Sequence, residues 1–281
     1  WQCALFFASG TIVATANGFR SRGQCHLILL NSARYFMDKN KSFARPASST
    51  ASFASSTASD AGNHCDNNKP RILCLHGKFQ SGSIFYNKIS GARRKIAREY
   101  DLDFLDGPII LPQNEEDGVD ADDSDSTAPV PRAWWLRSEE DGKHILVREA
   151  FEYVVQQTET DQYDAIIAFS QGGALATPLV LSGLFPNVRA LVTAGSPYIP
   201  EAFEVASEIS KASNNGFDVP KLHLAGEMDA MVAVESTREL CERGGSGKLI
   251  VHDQGHLFPT RAARVREILD FLEMALSKEE E

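Results

Sequence analysis

Ser170, Asp229 and His256 are three side chains that, brought together, make a hydroxyl reactive. A serine oxygen is a poor nucleophile until a base takes its proton, and an imidazole base needs a carboxylate to hold its tautomer. Ser170 lies between Asp164-Ala-Ile-Ile-Ala-Phe169 and Gln171-Gly172-Gly173-Ala-Leu-Ala, which reads strand, sharp turn, helix. A serine in that context tops a sheet on a strained nucleophile elbow. The positions two before and two after it must be small, because strand and helix pass close together there. Ala168 and Gly172 meet that need. The start of the following helix favours a developing anion, and the Gln171 N–H supplies one donor for it.

The partners follow in chain order, as the elbow arrangement requires. Gly226-Glu227-Met228-Asp229 comes after a predicted strand at Lys221–Ala225, and Asp253-Gln254-Gly255-His256 after one at Lys248–His252. The C-terminal strand ends of a parallel sheet share one edge, so loops leaving them converge. Glu227 and His252 compete for the orienting and base roles. Glu227 sits nearer its strand end and His252 lies inside its strand, so the loop geometry that a triad needs favours Asp229 and His256. A third loop, Leu75-His76-Gly77-Lys78-Phe79-Gln80, brings a glycine to the end of the first strand. An N–H of Lys78 or Phe79 is the candidate second donor to an oxyanion. Trp134 and Trp135 fit an apolar wall beside the nucleophile, with core packing the competing role for one of them.

The elements that must position these residues are short aliphatic runs alternating with amphipathic segments from Lys69 onward. Strands are predicted at Arg71–His76, Leu102–Leu105, Ala165–Phe169, Ala190–Ala194, Lys221–Ala225 and Lys248–His252. Several are nearly continuous apolar runs, as when helices cover both faces of a parallel sheet. Helices are predicted at Ile84–Tyr100, His144–Gln157, Gly173–Gly183, Val234–Cys241 and Ala262–Leu276. In the second, Ile145, Val147, Ala150, Phe151, Val154 and Val155 form one stripe. The alternation predicts an α/β fold, a mostly parallel central sheet with helices on both faces. The first loop lacks a Gly-rich fingerprint, which argues against a dinucleotide-binding reading.

The chain has 281 residues and a net charge of −10, unevenly spread: residues 1–60 carry +4 and the remainder −14. An acidic body offers no footprint for nucleic acid or an anionic membrane. Residues 1–69 read as a disordered N-terminal extension and a candidate targeting presequence for an organelle. An apolar stretch, Ala4–Ala16, is too short for a membrane span, and Ala47–Ser59 holds eight Ser or Thr in thirteen residues. Residues 70–277 form the catalytic-type domain. It is interrupted at 114–130 by an insertion with seven acids between Glu115 and Asp125, expected to be a solvated loop. Five scattered cysteines do not make a disulfide framework. Cys65, Cys74, His64 and His76 lack the paired spacing of a zinc site, and Cys74 reads as a buried thiol.

Beyond single residues, the chain resembles the FSH family of serine hydrolases, which includes the OVCA-type hydrolases. The marks are Arg71-Ile-Leu-Cys-Leu-His-Gly77 with Gln80, Asp106-Gly-Pro108, Pro131-Arg-Ala-Trp134-Trp135, Phe169-Ser-Gln-Gly172, Gly195-Ser-Pro197, Gly226-Glu-Met-Asp229 and Gly255-His256. They run in family order over about Lys69 to Leu276. The resemblance implies the α/β-hydrolase fold, esterase or thioesterase-like activity on a small-molecule ester or thioester, no cofactor, and a triad at Ser170, Asp229 and His256. Ala168 departs from the usual first glycine of the elbow. Phe169–Ala174 is also similar to the elbow of acyl-protein thioesterases and carboxylesterases, and a non-catalytic binding module on the same fold is the alternative from another class.

Overall fold

The structure, a computed structural model, describes residues 7–8, 11–13, 69–112, 129–213 and 218–277. All of them belong to one compact unit made of 5–14 and 68–281. Its centre is a six-stranded sheet of β1 (Arg71–Leu75), β2 (Asp101–Leu105), β3 (Ala165–Phe169), β4 (Ala190–Ala194), β5 (Lys221–Gly226) and β6 (Gly247–His252). Every pairing is parallel and the spatial order is β6-β5-β4-β3-β1-β2. The sheet is therefore entered at β1, one strand in from an edge; the chain adds β2 at that edge, then returns past β1 to build the other way. The reversal lies between β1 and β3, where open α/β sheets place their sites.

Both faces of the sheet are buried, and the period of two decides which residue faces which layer. Leu73, Leu75, Ile166, Ala168 and Leu191 point into one core, with the stripe Val147, Ala150, Phe151 and Val154 of α3 (Val147–Gln157). Ile72, Cys74, Ala165, Ile167, Phe169 and Val192 point into the other. That second core is closed by α1 (Gly82–Lys88), α2 (Ser90–Ile96) and α7 (Ala262–Leu276) through Phe85, Ala92, Ile96, Val265, Ile268 and Leu272. Burying each such large side chain contributes about 1.5–3 kcal/mol. The helix after the elbow, α4 (Gln171–Leu181), is buried on nearly every side, packing beneath α5 (Pro200–Ser213). A further described helix is α6 (Val234–Arg243).

The structure departs from the periodic reading in three places. The single helix expected over Ile84–Tyr100 is two helices, broken where Ile89 leaves helical geometry ahead of Ser90-Gly91. The helix expected from His144 begins at Val147, because Leu146 is left-handed (φ 65°) and His144–Ile145 pair with Leu136–Arg137 as a hairpin. Helix α5 has no counterpart in the sequence reading, although Pro200 opens it, a residue suited to a first helical position. Two short strands, Phe7–Ala8 and Thr11–Val13, pair with each other, and the second also pairs with Ile109–Ile110. The rest of the N-terminal extension and the acidic run Glu115–Asp125 lie outside the described residues. No described helix is long and apolar enough to cross a membrane.

Candidate active site

Ser170 is the first residue after β3 and the cap of α4, with φ 51° and ψ −118°. A non-glycine residue there is strained, and such strain collects at functional sites. The elbow is held from below by the Ser170 N–H, which donates to the Ala194 carbonyl at 2.8 Å. It is tight enough to dictate its neighbours: a Cβ on Gly172 would stand 2.4 Å from the Leu75 carbonyl oxygen, and one on Gly173 would stand 2.0 Å from Ser196 Oγ. Ala168 fits without strain inside β3, where it is fully buried.

Three loops at one edge of the sheet meet over this serine. His256 Nε2 lies 3.0 Å from Ser170 Oγ, and His256 Nδ1 lies 2.7 Å from Asp229 Oδ2. A carboxylate only accepts, so Nδ1 carries the proton and Nε2 is left to accept from the serine hydroxyl. The Asp229 side chain is 1% exposed and that of His256 15% exposed. Asp229 Oδ1 accepts from the N–H groups of Met231 and Val232, both at 2.8 Å, which fixes the orientation of the carboxyl group. The Phe169 ring packs on the imidazole at 4.9 Å between centroids. The competitors stand elsewhere: His252 is buried at the end of β6 with its Nδ1 accepting from Gln254 N–H, and Glu227 is exposed. Burial pushes the His252 imidazole down.

The oxyanion candidates separate. The Gln171 N–H opens α4 and is among the helix's free donors. The Phe79 N–H donates to the Arg132 carbonyl at 2.9 Å and is committed there, which corrects the expectation that it serves an oxyanion. Phe79 is instead the left-handed corner (φ 61°) of a turn closed by the Gln80 N–H on the Gly77 carbonyl, 3.1 Å. Lys78 is the candidate that remains. Gly77 lies close to the nucleophile, since a Cβ on it would come within 3.2 Å of Ser170 Cβ.

Trp134 and Trp135 are 0% and 2% exposed, which corrects their assignment to a substrate-facing wall. They are held in the core by polar bonds to the site. The Gln171 side chain accepts from the Trp134 N–H at 3.0 Å and donates to the Trp135 carbonyl at 2.9 Å, and the Trp134 indole N–H donates to the His76 carbonyl at 2.8 Å. Cys74 is a buried thiol whose pKa burial raises. His76 spends both ring nitrogens on backbone groups of Gly77 and Gly107, leaving none for a metal.

Sequence reasoning left roles unassigned for Asp106, Gly107, Arg132 and Gly195. Asp106 accepts from the Gly82 N–H at the start of α1, 2.7 Å, and pairs with Arg132, whose guanidinium also donates to the Gly107 carbonyl. Gly195 (φ 54°) leaves room for the His–Asp pair, since a Cβ there would lie 3.2 Å from His256 Nδ1. The signal was present, because each stands in a motif quoted for the family resemblance. What they touch becomes visible only when separate loops meet.

A six-stranded parallel sheet flanked by helices, with a strained serine at the switch-point edge and a histidine–aspartate pair beside it, defines an α/β hydrolase. Residues 66–268 match the family described as serine hydrolase (FSH1), and the chain belongs to that family. It is 30% identical over 224 residues to an uncharacterized hydrolase of Schizosaccharomyces pombe, covering 73% of this chain and 51% of that protein. To esterase OVCA2 of Mus musculus it is 27% identical over 220 residues, covering 72% and 95%. The chain thus spans about half the length of the fission-yeast relative and nearly all of the mouse one. In fold it is similar to Arabidopsis thaliana SOBER1, with a TM-score of 0.52 at 21% identity over 74% of this chain and 99% of that one.

Proposed function

We propose that this hydrolase is an esterase working through an acyl-enzyme on Ser170, with a small-molecule carboxylic ester or thioester as substrate. The observation that supports it most is the unbroken path from Ser170 Oγ through the His256 ring to Asp229, at 3.0 and 2.7 Å. As Ser170 Oγ attacks the carbonyl carbon, its proton moves to His256 Nε2. Asp229 holds the tautomer and stabilises the imidazolium that forms. The carbonyl oxygen becomes an oxyanion, bound by the N–H groups of Gln171 and Lys78. Collapse of the tetrahedral adduct expels the alcohol or thiol, which takes the proton from His256. Water, deprotonated by the same imidazole, then adds to the acyl-enzyme; the bond from Ser170 Oγ to the acyl carbon breaks, the imidazolium returns its proton to Oγ, and the acid is released. Proton and charge are handled by these side chains and two backbone donors, so the scheme uses no metal or organic cofactor.

Esters and thioesters present the same electrophile, and a matched pair of p-nitrophenyl ester and thioester substrates distinguishes the preference. Replacing Ser170→Ala is expected to lower kcat at least about 10³-fold on either substrate, with the melting temperature little changed. Wild-type rates in a folded S170A protein would remove Ser170 from the scheme. Absence of turnover by the wild type on both series would favour a binding module on this fold.

A further inference from the structure

His76 takes no part in the proton transfers, yet it is fully buried beside the oxyanion loop with both ring nitrogens engaged. Its Nδ1 lies 2.8 Å from the Gly77 carbonyl oxygen, which only accepts, so Nδ1 carries the proton. Its Nε2 accepts from the Gly107 N–H at 2.8 Å. The geometry therefore selects a neutral ring with one named tautomer.

The group held by Nδ1–H matters more than the bond itself. A trans peptide is planar, so the Gly77 C=O and the Lys78 N–H are two ends of one rigid unit and point in opposite directions. The Gly77 carbonyl is gripped by His76 Nδ1–H and by the Gln80 N–H at 3.1 Å. Holding that oxygen aims the Lys78 N–H the other way, in a segment whose glycine lies against the nucleophile. We propose that His76 is a positioning residue for the oxyanion hole: its Nδ1–H fixes the Gly77–Lys78 peptide so that the Lys78 N–H meets the oxygen of the carbonyl attacked by Ser170. The proposal rests on the acyl-transfer reading above.

The side chain suits the task in a way that few others do. A neutral imidazole offers a donor on one side of a rigid ring and an acceptor on the other, which neither a charged imidazolium nor a hydrocarbon side chain does. Burial holds the ring's pKa down to about 4, with Asp106 opposing and Arg132 assisting, so Nε2 stays free to accept at neutral pH. The backbone of His76 is fixed as well, by the Trp134 indole N–H on its carbonyl. A Cβ on Gly107 would stand 2.8 Å from the Ala133 carbonyl oxygen, so glycine is required where the Nε2 partner is presented.

The experiment compares His76→Asn and His76→Leu with the wild type, measuring kcat and KM on an ester and the inhibition constant of a trifluoromethyl ketone. That ketone adds Ser170 Oγ to its carbonyl carbon and leaves a stable oxyanion. The Asn amide can keep a donor toward the Gly77 carbonyl, whereas Leu keeps none. The expected result is a loss in kcat of at least tenfold for H76L with KM changed less than threefold. Ketone affinity should fall in parallel, and H76N should recover most of both. A folded H76L protein with wild-type kcat and ketone affinity overturns the proposal. Should the variants fail to fold, nitrogen-15 spectra of the wild-type imidazoles decide: a proton on Nδ1 of His76 supports it and a proton on Nε2 overturns it. Failure of the wild-type protein to take the ketone at Ser170 overturns the acyl-transfer reading, and this proposal with it.

Discussion

At residue scale the site is set by backbone freedom as much as by its three polar side chains. Gly195 has φ 54°, a region that costs a residue with a Cβ about 1–2 kcal/mol. A Cβ there would also press on His256 Nδ1 at 3.2 Å and Asp229 Oδ2 at 3.4 Å. Replacing Gly195→Ala should therefore displace the imidazole by a few tenths of an ångström and weaken its hydrogen bond to Ser170. The expected outcome is a fall in kcat/KM of about tenfold or more with a stability loss of about 1–2 kcal/mol, read from steady-state kinetics and urea unfolding. Wild-type kinetics in that variant would show that the His–Asp pair does not depend on the space Gly195 leaves. That Ser170, Asp229 and His256 meet at one edge was legible from residue type, position after a strand and chain order. Phe79, Trp134 and Trp135 were misread because their outcome depends on contacts from elsewhere: Arg132 takes the Phe79 N–H, and the Gln171 side chain binds the tryptophan backbone.

At element scale, legibility followed the strength of the periodic signal. The strands β3 and β4 match the sequence reading to the residue, and the other four differ only at an end, because strands buried on both faces are continuous apolar runs bounded by turns. Helix α7 was likewise read to its limits. Helix α5 was missed outright, and the other two failures lie where a single backbone conformation overrides a good stripe. Leu146 turns left-handed and removes Ile145 from α3, and Ser90-Gly91 follows the break between α1 and α2. The strap of Arg132–Ala133 and Trp134 was invisible to periodicity. It is held by a two-residue antiparallel pairing of Arg132–Ala133 with Ile109–Ile110, by an isolated bridge between Gln80 and Arg132, and by side-chain bonds to Gly107, Asp106 and His76. This short strap packs on the loop beside the nucleophile, through Gln80 and His76.

At the scale of the whole molecule, strand order brings residues 76, 170, 229 and 256 to one edge of the sheet, with β1 and β3 paired at the reversal. The same close packing makes the fold sensitive to acid. Burial holds His76 and His223 down to about 4, and the charge of Lys221 pushes His223 the same way. An unfolded histidine titrates near 6.5. Between these values the unfolded chain binds protons that the fold refuses, so stability present above about pH 6.5 is lost as pH falls through about 4. At pH 5 each histidine is expected to cost about 2 kcal/mol relative to pH 7. Urea unfolding at both pH values should show the drop, and His223→Gln should remove its own share, about 2 kcal/mol. A midpoint that does not move over this range would contradict the buried, neutral state of both rings.

The most direct test of the account is labelling of the whole chain with a fluorophosphonate, with the modified peptide mapped by mass spectrometry and His256→Ala run beside it. In this reaction Ser170 Oγ displaces fluoride from phosphorus, and His256 takes the proton. The predicted result is a single adduct on Ser170 in the wild type that the H256A protein fails to form at a comparable rate. No adduct on well-folded protein, or equal labelling without the histidine, would contradict an activated serine at this site.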